Sequence, residues 1–176
     1  MVFKNLILFF LILTSTKSFT QSDVFEISRN GSLEQIEKLY YKSPEVINTK
    51  NERGHTPLIL ACYNGNVSVA KFLIARVNDV NETSDDGSAL MAATVKGQTE
   101  LVELLLEKNA NPNLTDVNGT TALHYAVMFE QEQIIKSLIA NDAKVNIKNG
   151  SNQTALDIAK IKNNQKIIEI LKKATT

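Results

Sequence analysis

One cysteine and two histidines are all that this chain of 176 residues holds of the most versatile catalytic side chains. Cys62 alone cannot close an internal disulfide or serve a site that needs two thiolates. His55 and His124 leave little material for a histidine-based metal centre. Neither sign of charge prevails, with 19 basic and 19 acidic side chains. The clustered cationic surface that non-specific nucleic-acid binding relies on is therefore missing. No phosphate loop, nucleophile elbow or zinc-ligand spacing occurs. Asp85-Asp86 is a turn pair, without the ligand spacing that calcium needs. No cofactor and no metal is expected. With 43% apolar and 22% charged residues, the composition suits one soluble globular domain rather than a disordered chain.

The N-terminus reads differently from the rest. Lys4 supplies a positive charge, Leu6 to Leu13 is an unbroken apolar run, and Thr14 to Gln21 is small and polar. That order is the layout of a secretory signal peptide. The run is too short for a bilayer, which takes about 20 residues. Ser18 and Thr20 put small residues at −3 and −1 of a cut before Gln21. Residues 1–20 are thus expected to be a signal peptide, with an uncleaved membrane anchor as the alternative. The chain from 21 onward, net charge −2, is expected to be exported, periplasmic or secreted. Asn-x-Ser/Thr occurs at Asn30, Asn66, Asn81, Asn113, Asn118, Asn149 and Asn152, in a chain with 18 asparagines. Composition accounts for that number, and glycans on these turns would obstruct the stack described next. This favours a bacterial envelope over a eukaryotic secretory route.

The remainder is periodic. Thr56-Pro57-Leu58-Ile59-Leu60-Ala61 is echoed by Ser88-Ala89-Leu90-Met91-Ala92-Ala93, by Thr121-Ala122-Leu123-His124-Tyr125-Ala126 and by Thr154-Ala155-Leu156-Asp157-Ile158-Ala159. Ala61, Ala93, Ala126 and Ala159 keep the same step, as do Leu73, Leu105, Leu138 and Leu171. Each unit reads as two helices and a turn. Thr or Ser caps the first helix by accepting a backbone N–H, and Pro57 is tolerated in its first turn. Gly65 and Gly97 end that helix, where a left-handed residue is wanted. A second helix follows, such as Thr99 to Lys108, and then turns at Asp85-Asp86-Gly87, Asn118-Gly119 and Asn149-Gly150. Gly87 runs straight into Ser88, so that turn should be shorter than its neighbours.

These residues resemble the ankyrin repeat, a β-turn and two antiparallel helices per unit with a T-P-L-H-x-A signature. Thr56-Pro57-Leu58 and Thr121-Ala122-Leu123-His124-Tyr125-Ala126 match it best. The resemblance implies an all-α repeat, an α-solenoid of helix–turn–helix units joined by β-turn fingers. Its expected parts are a cap at 22–50, repeats at about 51–83, 84–115 and 116–148, and a capping repeat at 149–174. Lys160 in the last unit replaces Cys62, Thr94 and Val127, as an outer face without a neighbour requires.

The resemblance also implies a non-enzymatic protein-binding module, with a partner on the turn tips and the exposed side of the first helices. It gives His124 a structural bond to the neighbouring turn. His55 is expected in an exposed turn, and Cys62 packed between units. Turn-tip candidates are Arg53, His55, Asp85, Asp86 and Asn118. An apolar row two residues after the repeated alanine, Tyr63, Val95, Met128 and Ile161, with Phe129 beside it, either anchors the partner or fills gaps between helices. The partner is expected to be a protein, not nucleic acid or a small-molecule substrate. A membrane would be met only through an uncleaved signal segment, and the chain is expected to be a monomer. The alternative is a small redox or stress-protection protein using Cys62. Residues 85–117 are net −4 and residues 118–176 net +3, a polarity that could orient a partner.

Overall fold

The computed structural model describes residues 21–174; the candidate signal peptide lies outside them. Five helix pairs follow one another. Their first members are α1 (Gln21–Asn30), α3 (Pro57–Asn64), α5 (Ala89–Val95), α7 (Ala122–Met128) and α9 (Ala155–Ile161). Their second members are α2 (Leu33–Lys42), α4 (Val67–Ile74), α6 (Thr99–Glu107), α8 (Glu132–Ala140) and α10 (Gln165–Lys173). A 3-10 helix, Pro44–Asn48, leads from the first pair to the second.

Local chemistry starts and stops these helices. The hydroxyls of Thr56, Ser88, Thr121 and Thr154 accept the amide hydrogens of Ile59, Met91, His124 and Asp157, so the start of each first helix from α3 on is capped alike. Each of these helices then ends on a left-handed residue. Gly65 and Gly97 fill that place in two units, as expected, at φ +76° and +66°. Glu130 and Asn163 fill it in the last two, each at φ +55°. The next amide turns back to the repeated alanine: Asn66 to Ala61 at 2.9 Å, Gln98 to Ala93 at 3.0 Å, Gln131 to Ala126 at 2.9 Å and Asn164 to Ala159 at 3.2 Å.

Packing runs along the row. α1 packs on α3, α3 on α5, α5 on α7 and α7 on α9, while α4 packs on α6 and α6 on α8. Ala61, Ala93, Ala126 and Ala159 are fully buried between the first helices, and Leu73, Leu105, Leu138 and Leu171 between the second. Cys62, Thr94 and Val127 are buried at one position, and Lys160 takes it into solvent in the last unit. Leu156 in the same unit is only half-buried, because among the described residues no further helix covers it.

Asparagine ties the loops behind the helices from unit to unit. The Asn48 side-chain oxygen accepts the Asn78 amide at 2.8 Å, that of Asn81 the Asn111 amide at 2.7 Å, and that of Asn113 the Lys144 amide at 2.7 Å. Part of the asparagine abundance is thus structural. These bonds also explain why the connecting loops keep one register along the stack.

Truncating a seam leucine should cost far more than truncating the outer face. Leu105→Ala is expected to lower stability by about 2–5 kcal/mol, the usual range for a buried leucine. Lys160→Ala should stay within about 0.5 kcal/mol. Urea denaturation followed by circular dichroism would compare them.

Candidate functional site

The turns that join the units project as fingers alongside the first helices. In three of them an Asx side chain shapes the tip. The Asn51 oxygen accepts the amides of Arg53 and His55, Asp116 those of Asn118 and Thr120, and Asn149 those of Ser151 and Gln153, all at 2.8–3.0 Å. The second finger is built differently. β1 (Thr83–Ser84) pairs antiparallel with β2 (Gly87–Ser88), leaving only Asp85-Asp86 at the tip. This is the shorter turn anticipated from Gly87 adjoining Ser88.

Fingers also bond to each other. The Val117 amide donates to the Asp85 carbonyl at 3.2 Å, and the Gly150 amide to the Asn118 carbonyl at 2.7 Å. A Cβ at Gly150 would come within 2.9 Å of that carbonyl oxygen, so only glycine allows the approach. The left-handed residue of the last finger is Asn152, φ +59°, rather than Gly150.

Between fingers and first helices runs a groove of about 540 Å³. Arg53, His55, Tyr63, Asp85, Asp86, Val95 and Asn118 all line it. Those candidates, separated in sequence, therefore share one concavity. Met128, Phe129 and Ile161 lie outside its lining and stand in solvent at 42, 51 and 66% exposure. Tyr63 is 54% exposed, with the Lys96 ammonium 4.8 Å from its ring centre. These four side chains do not fill gaps between helices; Val95 is half-buried.

His55 corrects an expectation. It is not exposed but 8% accessible, because its ring leans onto the next finger and its Nε2 lies 2.7 Å from the Asp86 carboxylate. The pair ties two fingers together at the groove wall. Asp116 and Tyr125 form a second polar fixture. The Tyr125 hydroxyl donates to Asp116 at 2.6 Å. Burial, followed by that hydrogen bond and the charges of Asp116 and Asp86, pushes the Tyr125 pKa up to about 12.

Arg29, Asp116, Met91, Ala92 and Tyr125 also line the groove and were not singled out in the sequence. Leu60, Ala92 and Tyr125 share one repeat position, directly before the repeated alanine. Reading that position across units would have found them.

His124 has the structural task expected of it. Its Nδ1 accepts the Thr121 amide at 3.1 Å, so the ring proton sits on Nε2 and is donated to the Gln153 carbonyl of the next finger at 3.1 Å. Cys62 is fully buried, and burial pushes its thiol up to about 12. A protonated thiol sealed between units presents no accessible thiolate. Among the described residues no group of three or more His, Cys, Asp or Glu could hold a metal, and no helix is long and apolar enough to cross a membrane.

Comparison with known proteins agrees with this architecture. A family model for ankyrin repeats, three copies in length, matches residues 24–116 and again 110–176. The chain is similar to ankyrin repeat and SAM domain-containing protein 6 of Rattus norvegicus, 30% identical over 108 residues, which is 60% of this chain and 12% of that protein. It is similar to 26S proteasome non-ATPase regulatory subunit 10 of Dictyostelium discoideum, 33% identical over 93 residues, 52% of this chain and 40% of that one. It is also 46% identical over 63 residues to phosphocholine transferase AnkX of Legionella pneumophila, 35% of this chain and 7% of the transferase. The chain thus spans well under half the length of each of these relatives.

The buried imidazole should give stability a measurable pH dependence. Burial holds the His124 pKa below its ordinary value near 6.5, against smaller opposing pulls from the Gln153 and Ile147 carbonyls and Asp116. The unfolded chain then takes up the proton first, so stability is lost as pH falls below about 6.5. Glu130 and Asp157, whose pKa values are lowered by their hydrogen bonds to Asn164 and Thr154, act only in the carboxylate range below that. His124→Asn should flatten the decline that begins near pH 6.5 and cost about 1 kcal/mol at neutral pH. Urea midpoints measured from pH 8 to pH 5 for both proteins would show it.

Proposed function

Because the chain belongs to the ankyrin repeat family, whose units are protein–protein interaction modules, we propose that it binds a partner protein in the groove between its fingers and first helices, without catalysing a reaction. One observation carries the reading. The tip residues Arg53, His55, Asp85, Asp86 and Asn118 line the same concavity as Tyr63 and Val95 of the first helices. That concavity presents an exposed aromatic, a feature that commonly anchors protein contacts. Met128, Phe129 and Ile161 continue the apolar row beyond it and extend the surface a long partner would meet.

Three polar pairs brace the groove and the fingers. His55 is bonded to Asp86, His124 to Gln153, and Asp116 to Tyr125. We read the module as an exported one, on the order of Lys4, the Leu6 to Leu13 run and the small polar stretch to Gln21. It then works in the periplasm or outside the cell.

Two measurements test these readings. Capture of partners from an envelope fraction on the wild-type protein should fall about tenfold or more with Tyr63→Ala, the scale of an aromatic anchor. The Met128→Ala/Phe129→Ala pair should produce a smaller fall. Unfolding midpoints should hardly change, since all three side chains are exposed. Binding that falls only in step with folding would defeat the groove reading. For export, N-terminal sequencing of protein recovered from producing cells should begin at Gln21; a mature protein that still begins at Met1 would speak against cleavage.

A further inference from the structure

Two departures from the repeat fall in one unit. At the position before the repeated alanine the neighbours carry Leu60, Tyr125 and Ile158, whereas this unit carries Ala92. Beside it stands the finger that is one residue short, its tip reduced to Asp85-Asp86. One change removes bulk from the groove floor and the other from its wall. The groove is centred on this unit, with lining residues from both flanking units. Its floor here is apolar: Met91, Ala92 and Val95, next to Leu60.

The wall above that floor is anionic. The Asp85 carboxylate makes no hydrogen bond or ion pair among the described residues. Asp86 gives one oxygen to His55. Asp116 is buried, with its oxygens taken by the Tyr125 hydroxyl and two amides, and adds its field without offering a contact. The carboxylates of Asp85, Asp86 and Asp116 thus lie on one side of the groove, with the Tyr125 hydroxyl bonded to the last of them. Of the cations at the groove, Arg29 lies 3.8 Å from Glu26 and Lys96 sits over Tyr63 at one end, while Arg53 lines the wall on the side of His55, one finger before the Asp85 tip.

An apolar notch with carboxylates at its rim suits a side chain that has an aliphatic stem and a cationic head. Resting on the reading of the groove as the partner site, we propose that this notch holds a lysine or arginine side chain of an extended protein segment, its stem against Ala92 and Val95 and its charge beside Asp85 and Asp86. Apolar residues flanking that cation in the partner would lie on Leu60 and Tyr63. An acidic segment drawn to Arg29 and Arg53, or a wholly apolar one, is the competing occupant.

Random linear peptides displayed on phage and selected on the full-length protein would test this. The selected sequences should carry one Lys or Arg flanked by apolar residues. A synthetic copy of such a peptide should lose about tenfold in affinity when its cation is replaced by norleucine. Ala92→Leu should weaken binding comparably by filling the notch. Asp85→Asn, at an exposed site that leaves the fold intact, should weaken it several-fold and flatten its salt dependence. Thermal unfolding of Ala92→Leu checks that the leucine is accommodated, as Leu60 is at the same position one unit earlier. Selection of acidic or purely apolar peptides, or of none, would overturn the proposal. So would basic peptides that bind Ala92→Leu and Asp85→Asn as tightly as wild type. If those peptides are nonetheless lost on Tyr63→Ala, the groove stands as the partner site and only the basic occupant falls. Peptides indifferent to all three substitutions would remove both.

Discussion

Burial of apolar side chains that a unit cannot cover by itself is the constraint on which everything else rests. Ala61, Ala93, Ala126 and Ala159 face a neighbouring first helix, and Leu73, Leu105, Leu138 and Leu171 a neighbouring second helix, all without contact with water. A helix pair taken alone would expose both sets. Stability is therefore a property of the row, made of intrinsic terms and nearest-neighbour terms. The small alanine lets backbones approach, and the leucine fills the wider space behind. The last described pair follows the same rule: Lys160, at the position that Cys62, Thr94 and Val127 bury, faces water.

Polar bonds then fix the register that apolar packing leaves loose. Asn48, Asn81 and Asn113 reach the loop of the following unit, while His124 and the Gly150 amide join consecutive fingers. Each pairs a backbone group of the neighbouring unit; the asparagine bonds lie at exposed sites, where a hydrogen bond contributes about 0.5–1.5 kcal/mol. Division of labour follows. The repeated alanine and leucine of the seam are constant among units, whereas the finger tips and groove-facing positions vary from unit to unit. Arg53, Asp86 and Asn118 occupy the same finger position in three units. A recognition surface can be written at such positions while the seam stays the same, although Asp86 also braces the wall through His55.

The groove owes its shape to such variation. His55 and Asp86 brace its wall, Tyr125 and Asp116 fix its far side, and Ala92 with the short finger opens its middle. Cys62 and His124, the side chains with most chemical potential, are spent in the seam and between fingers. Their burial moves both pKa values toward the uncharged form, the thiol up and the imidazole down. That distribution, reactive groups inside and varied polar and aromatic groups on the concave face, fits a surface that holds a partner.

The repeat, the helix pairs, the capping hydroxyls, the two glycine stops, the short second turn and the buried cysteine were all legible from residue spacing, because each depends on neighbours a few residues away or on a fixed period. Glu130 in left-handed backbone was not, since glutamate rarely adopts it, and Asn163, of a type that enters it more readily, is one asparagine among 18. The burial of His55 was hidden for another reason: its partner, Asp86, lies 31 residues along the chain and meets it only when two fingers stand side by side. Asp116 joined the groove in the same way, whereas Ala92 and Tyr125 share a repeat position that a comparison of units picks out. Local periodicity determined which residues form the units and which face the seam. The tertiary stack decided which side chains of different units converge, because that depends on the distance and angle between adjacent units, which no single repeat encodes.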